Sequence, residues 1–329
     1  NWDRVAKPLD CLGEFEGLLA RIGAILGSPE IDIAKKAGIV MCADNGVVAE
    51  GISQSGQEIT AAVTENLGKR NTSVCKMAQT VGAEVFPVDI GVNTDRIFPG
   101  VISRKVKKGT NDFLLKPAMS EREAMQAVRV GMELVKECKE AGYTLLGTGE
   151  MGIGNTTTSS ACAAVLFDQA PEVVTGRGAG LSTEGLNKKV RAIERAIEVN
   201  HPDKTDAIDV ISKVGGLDIA GMVGCYLGAA YYHLPILIDG FISAISAYLA
   251  GMLSKTAKEY MIPTHGTAEP GAKLAMDHLG VQAPIQAGMH LGERTGAFMG
   301  LSLIDPVLNV YYHVASWDGA PVEAYTHQT

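Results

Sequence analysis

The chain has 329 residues, 46% of them hydrophobic and 5% aromatic, with 38 glycines and a formal net charge of -8 at pH 7. That length buries a sizeable core as one main α/β domain with an appendage, while the acidity excludes nonspecific nucleic-acid binding, which demands a basic surface. An anionic ligand must then be met locally, by helix N-termini and single lysines or arginines.

In chain order, Leu18, Leu19, Ile22 and Leu26 have helical spacing up to Gly27-Ser28-Pro29, which predicts a helical appendage over residues 2–26. From residue 37 a theme recurs. Ala37–Ala43 runs into Asp44-Asn45-Gly46, Glu84–Val88 into Asp89-Ile90-Gly91, Leu145-Leu146 into a turn around Glu150, Leu234–Ile238 into Asp239-Gly240, and Tyr260–Ile262 into Pro263-Thr264-His265-Gly266. Short apolar strands that each end in glycine and a polar residue, separated by helices, predict a Rossmann-like parallel sheet covered on both faces, with ligands beyond the strands' carboxyl ends. Helical patterns fill 57–80, 120–141, 155–168, 182–199, 205–231 and 241–254, and Ser120-Glu-Arg-Glu123 reads as a capping box. Residues 215–253 are very apolar, yet Asp218, His233, Pro235 and Asp239 interrupt them, so buried elements explain them better than a membrane span. The basic run Arg104–Lys108 reads as a solvated loop. Cysteines 11, 42, 75, 138, 162 and 225 lack CxxC or zinc spacing and read as reduced core thiols; the seven histidines form no metal pattern. With no signal-peptide pattern before the first apolar segment, the expectation is a cytoplasmic protein without metal or cofactor.

Three segments could carry chemistry. In Gly147-Thr-Gly-Glu150-Met-Gly152-Ile153-Gly154-Asn155-Thr156, glycines let backbone N–H groups approach a ligand, and Asn155 or Thr156 can cap a helix whose positive end faces an anion. Two readings stay open for Glu150: a solvated side chain in a tight turn, or a carboxylate working beside the anion. Thr175-Gly176-Arg-Gly178-Ala-Gly180-Leu-Ser182 precedes a helix bearing Lys188 and Lys189, and supplies N–H dipoles plus a mobile cation. Gly288-Met-His290-Leu291-Gly292-Glu293-Arg-Thr places Glu293 at a loop-to-helix junction, either as a partly desolvated general base or as a complement to the helix dipole. Of the histidines, His265 alone sits at a strand end where it could meet a ligand. No Walker pattern, Gly-x-Ser-x-Gly elbow or complete dinucleotide fingerprint is present, so nucleotide hydrolysis, covalent catalysis and hydride transfer lose ground.

Together these segments resemble the nicotinate-nucleotide:dimethylbenzimidazole phosphoribosyltransferase family. The resemblance spans nearly the whole chain, through Ala6-Lys-Pro-Leu9, Ala43-Asp-Asn-Gly-Val47, Glu50-Gly-Ile-Ser53, Val88-Asp-Ile-Gly-Val92, Gly149–Thr157, Gly176-Arg-Gly-Ala-Gly180, His265–Gly271 and Leu291–Gly296. It implies transfer of phosphoribose from nicotinate mononucleotide to a benzimidazole nitrogen, with inversion from the β to the α glycoside, in cobamide synthesis. The fold implied has a Rossmann-like catalytic domain over 31–299, and a small helical domain from 1–30 and 300–329. Carried onto this sequence, Glu293 matches the general base and Glu150 the second carboxylate. Gly152, Ile153, Gly154, Asn155 and Thr156 match the nucleotide turn, joined by Gly176, Gly178, Lys189 for phosphate, Thr267 and His290, while Ser53, Gln54, Gln57 and Leu291 fall along the base pocket. The implied partners are small molecules, in a homodimer or a heterodimer with a paralogue. Asn45 and His290 depart from the usual family residues, which leaves the base open among dimethylbenzimidazole, a purine and a phenol. The competing reading is a subunit that keeps the fold without the chemistry.

Overall fold

The computed structural model describes residues 2–289, 291–318 and 323–326. Eight strands alternate with helices: β1 (Lys36–Ala43), β2 (Ala83–Gly91), β3 (Ile102–Ser103), β4 (Leu145–Met151), β5 (Ile236–Ile238), β6 (Met261–Pro263), β7 (His265–Thr267) and β8 (Ile285–Met289). The α-helices are α1 (Glu14–Leu26), α2 (Glu58–Gly68), α3 (Ser73–Thr80), α4 (Glu121–Glu140), α5 (Asn155–Leu166), α6 (Pro171–Val174), α7 (Thr183–Asn200), α8 (Ala207–Val214), α9 (Leu217–Tyr231), α10 (Phe241–Leu253), α11 (Pro270–Leu279) and α12 (Thr295–His313).

The first six strands form one parallel sheet in the order β3-β2-β1-β4-β5-β6. Every residue of β1 and β4 is buried, as expected of central strands covered on both faces. Ile39 and Met41 join a core with α4, α5 and α7–α11, whereas Val40 and Cys42 pack on the other face with α1, α3 and α12. Because the chain leaves β1 toward one edge and returns through β4 toward the other, the strand order reverses between them. The point beyond the carboxyl ends at such a reversal is where sheets of this kind bind ligands. Asp44-Asn45 leaves β1 and Glu150-Met151-Gly152 leaves β4 at that point.

Several expectations are corrected. The segment 57–80 is two helices, broken where Arg70 takes a left-handed φ of 59°. Likewise 205–231 breaks at Gly215-Gly216, both extended. At the second break the backbone passes too close to its neighbours for a side chain: a Cβ on Gly215 would stand 2.7 Å from Ile211 O. The opening appendage is a 3-10 turn (Trp2–Arg4) and a helix only from Glu14. The parallel pair β7–β8 went unread because its short strands carry little apolar signal. Ser120 does form the capping box, accepting the Glu123 N–H while the Glu123 carboxylate accepts that of Ser120. The basic run is ion-paired: Lys105 with Asp89, Lys107 with Glu123, Lys108 with Asp95 and Arg104 with Glu137. Among the described residues, no helix is long and apolar enough to cross a membrane.

Candidate active site

Strand β4 delivers Glu150 to the reversal point, where it is 9% exposed. Its Oε2 accepts a hydrogen bond from Asn155 Nδ2, and the same amide nitrogen donates to Asp218 Oδ2 at 2.9 Å. Asn155 therefore does not cap α5. That place falls to Gly154 in a left-handed conformation, φ 91°, while the Asn155 side chain turns to the two acids. Burial, with Asp218, Asp239 and Glu293 nearby, pushes Glu150 up to about 8, so it holds a proton at neutral pH when no ligand charge faces it.

The second carboxylate arrives from the far end of the chain. Gly292, Glu293 and Arg294 take consecutive left-handed φ values of 78°, 56° and 74°, a conformation that costs non-glycine residues energy and needs outside support. Two acids supply it. Asp239, at the end of β5, accepts Arg294 N at 3.0 Å and Ala297 N at 2.8 Å, which satisfies the start of α12. Glu150 Oε1 lies 3.5 Å from Glu293 N. A Cβ on Gly292 would stand 2.6 Å from Glu150 Oε1, so a side chain there would displace the acid. Burial and then Asp239 raise the Glu293 carboxyl above its ordinary range.

Behind this turn the Arg294 side chain lies fully buried across the sheet. Gly147 and Gly149 make room for it: a Cβ at either would come within 2.6 Å of Nη2 or 2.8 Å of Cβ of Arg294, and Gly38 on β1 clears the same lane. No guanidinium nitrogen has a hydrogen-bond partner, although Cζ stacks 4.6 Å from the Phe298 ring. Burial pulls Arg294 down to about 9.

One residue after Asn155, Thr156 faces a different cluster. Lys189, 1% exposed, reaches from α7 to donate to Thr156 Oγ1 at 2.8 Å and Gly176 O at 3.2 Å. Burial lowers it to about 8, with Glu269 opposing the shift. Gly178 N donates to Glu269 Oε1 at 3.1 Å, so a carboxylate already rests on the second glycine turn. Ser182 caps α7 by accepting Gly185 N. The α5 N-terminus thus separates an acid pocket from a cationic one by a single residue.

A phosphoribosyltransferase family model matches residues 1–322. The nicotinate-nucleotide–dimethylbenzimidazole phosphoribosyltransferase of Acetivibrio thermocellus is 45% identical over 99% of this chain and 93% of its own length. That of Clostridium acetobutylicum is 42% identical over 98% and 92%. The crystal structure of CobT from Thermus thermophilus superposes with a TM-score of 0.92 at 33% identity, covering 98% of this chain and 96% of that one. The chain belongs to the nicotinate-nucleotide–dimethylbenzimidazole phosphoribosyltransferase family.

Against that family, the residues singled out from sequence fall into groups. Glu150, Asn155 and Glu293 meet at one point, and Thr156, Gly176, Gly178 and Lys189 at another. Gln57 donates to Asn45 O at 3.1 Å and Gln54 to Gly180 O, tying the 53–57 segment to the turn after β1 and to the second glycine turn. Ile153 N donates to Thr60 Oγ1 at 3.1 Å, and a Cβ on Gly152 would meet Asp218 Oδ2. Ser53 and Thr267 bond within their own loops, and Leu291 is 60% exposed. His290 lies outside the described residues. His265 is buried and packs where a Cβ on Gly296, in the first turn of α12, would strike its ring. The sequence reading missed the roles of Asp218, Asp239, Arg294 and Glu269. For the two aspartates the signal was present as acids inside an otherwise apolar run, which burial makes costly unless they are used.

Proposed function

We propose that this chain transfers the phosphoribosyl group of nicotinate mononucleotide to an aromatic lower-ligand base of the dimethylbenzimidazole class, releasing nicotinate. In this reading Glu293 accepts the ring N–H proton of the base while the other ring nitrogen attacks the anomeric carbon. The bond to the pyridinium nitrogen breaks, its electron pair returns to that ring, and nicotinate leaves with inversion at the sugar. Glu150, ionised once a cationic pyridinium ribosyl group lies beside it, stabilises positive charge developing at the anomeric centre. Lys189 and the glycine turns at 176–178 hold the phosphate.

The observation that carries the reading is the meeting of Glu150 and Glu293 one helix position away from the Lys189 pocket. The test is a product assay by mass with nicotinate mononucleotide and a mixture of dimethylbenzimidazole, adenine and phenol. A riboside phosphate with free nicotinate supports the transfer and names the base. Absence of product while the donor still binds refutes it in favour of a subunit without chemistry.

The proposal extends to a cytoplasmic homodimer with a small helical domain from 1–30 and 300–329 on a catalytic domain over 31–299. In support of pairing the two ends, α1 and α12 pack together in the core that also covers one face of the sheet, and Met299 and Leu303 are exposed one turn apart on α12 as apolar surface for a partner. Light scattering reads one or two chain masses.

A further inference from the structure

The acid pocket contains a carboxylate that the proposed chemistry does not use. Asp218 is the second residue of α9, fully buried, in a helix otherwise lined with apolar side chains. Glycines surround it. A Cβ on Gly152 would stand 3.1 Å from its Oδ2, and one on Gly216 would collide with its Oδ1. Among the described residues no side chain donates to its Oδ1, and the carboxylate faces the backbone N–H groups of Asp218 and Ile219 at the start of α9, whereas Oδ2 accepts from Asn155.

An asparagine amide carries two N–H donors on one nitrogen and an acceptor on the other terminus, so it can be read in two orientations. Here Nδ2 is the atom that faces both Glu150 Oε2 and Asp218 Oδ2. Turning the amide over would aim Oδ1 at two carboxyl groups at once, acceptor against acceptor. With Glu150 alone, one proton on that carboxyl would make the reversed orientation acceptable. Asp218, as the second acceptor, opposes the reversal.

We propose that Asp218 is a positioning residue, which fixes the Asn155 amide with its donors toward Glu150 and thereby holds the Glu150 carboxylate in the orientation the sugar transfer requires. The inference rests on the reading of Glu150 given above. An asparagine at 218 reverses the logic: its own amide can donate to Asn155 Oδ1 and favour the orientation that rejects an ionised Glu150. The alternative role for Asp218 is to complement the N-terminal end of the α9 dipole, a local effect that makes no use of Asn155.

The experiment is a double-mutant cycle, with kcat and donor KM measured for Asp218→Asn, Asn155→Ala and the pair, and Glu150→Gln as reference. We expect Asp218→Asn to lower kcat by about 10-fold or more in the native background, with donor KM within about 2-fold. In the Asn155→Ala background the same change should cost about 2-fold or less, because the link it acts through is gone. Equal losses in both backgrounds overturn the proposal and leave the helix role. Gly216→Ala, which keeps the acid and displaces it, gives the same cycle if Asp218→Asn does not fold. Full activity in Glu150→Gln removes the underlying reading, while loss there with an additive cycle removes the Asp218 inference alone.

Discussion

Glu150 and Glu293 lie 143 residues apart in sequence, and the Glu293 backbone N–H points at Glu150 Oε1 across 3.5 Å. One carboxyl thus helps hold the backbone that presents the other. The two differ in setting: Glu150 sits under the strand ends, fixed by Asn155, whereas the Glu293 side chain stands on a left-handed turn. In the proposed transfer the fixed group works at the sugar and the group on the turn works at the incoming base.

Glu293→Gln should therefore leave donor binding nearly intact and lower kcat by about 100-fold or more, the scale of a lost general base. Single-turnover rates at saturating donor measure it. A variant within about 3-fold of the native rate removes Glu293 from proton abstraction.

The raised position of Glu150 predicts how stability varies with pH. Folded, the carboxyl keeps its proton up to about 8, whereas unfolded it releases it in the ordinary glutamate range near 4.3. The folded state binds more protons across that window, so this group's contribution is complete below the ordinary value and is lost as pH rises through 8. Glu150→Gln keeps the shape and cannot ionise. Its melting temperature should gain on the native protein from pH 5 to about pH 8 and level off above that. A constant difference over that range would show that Glu150 ionises normally.

Lys189→Ala removes the buried cation of the second pocket. Charge-assisted hydrogen bonds of this kind contribute about 1.5–3 kcal/mol, so donor affinity should fall by about 10- to 150-fold, with a smaller change in the affinity for the free base. Calorimetric titration with each ligand separates the two. Unchanged donor affinity would move the phosphate elsewhere.

Gly147→Ala places a methyl group 2.6 Å from Arg294 Nη2 in the centre of the sheet. Crowding of this kind costs about 1–3 kcal/mol, read by chemical denaturation. Arg294→Ala vacates the lane, so in that background the same glycine substitution should cost less than half as much. Equal costs in both backgrounds would mean that the strand backbone, not the guanidinium, demands glycine there.

The sequence made the sheet and most of its ligand-facing loops legible, because central strands such as Lys36–Ala43 are apolar on both faces and end abruptly in acids and glycines. Glu150, Glu293 and Lys189 were visible for the same reason, as charged groups among small residues. In sequence Asp218 is only an acid interrupting an apolar run, and Asp239 only a polar strand end. Their meaning depends on contacts with residues 294, 297 and 155 that no local pattern carries. Asn155 was expected at a helix cap, a sound local preference that lost to two buried carboxyls competing for its amide. Arg294 was hidden because a guanidinium beside Glu293 reads as solvated, and the glycines that admit it belong to strands far away in sequence.

The clamp on Gly292–Arg294 also sets an order of events during synthesis. Thr156, Lys189 and both glycine turns are made about a hundred residues before Glu293, which at roughly 5–20 residues per second is about 5 to 20 s. During that interval the residues proposed to hold the nucleotide phosphate exist in the chain and the second carboxylate does not. Donor caught there would be held without being consumed and would favour the native arrangement by mass action. In the proposed transfer, turnover then waits on the docking of α12, the last helix of the described residues to be made.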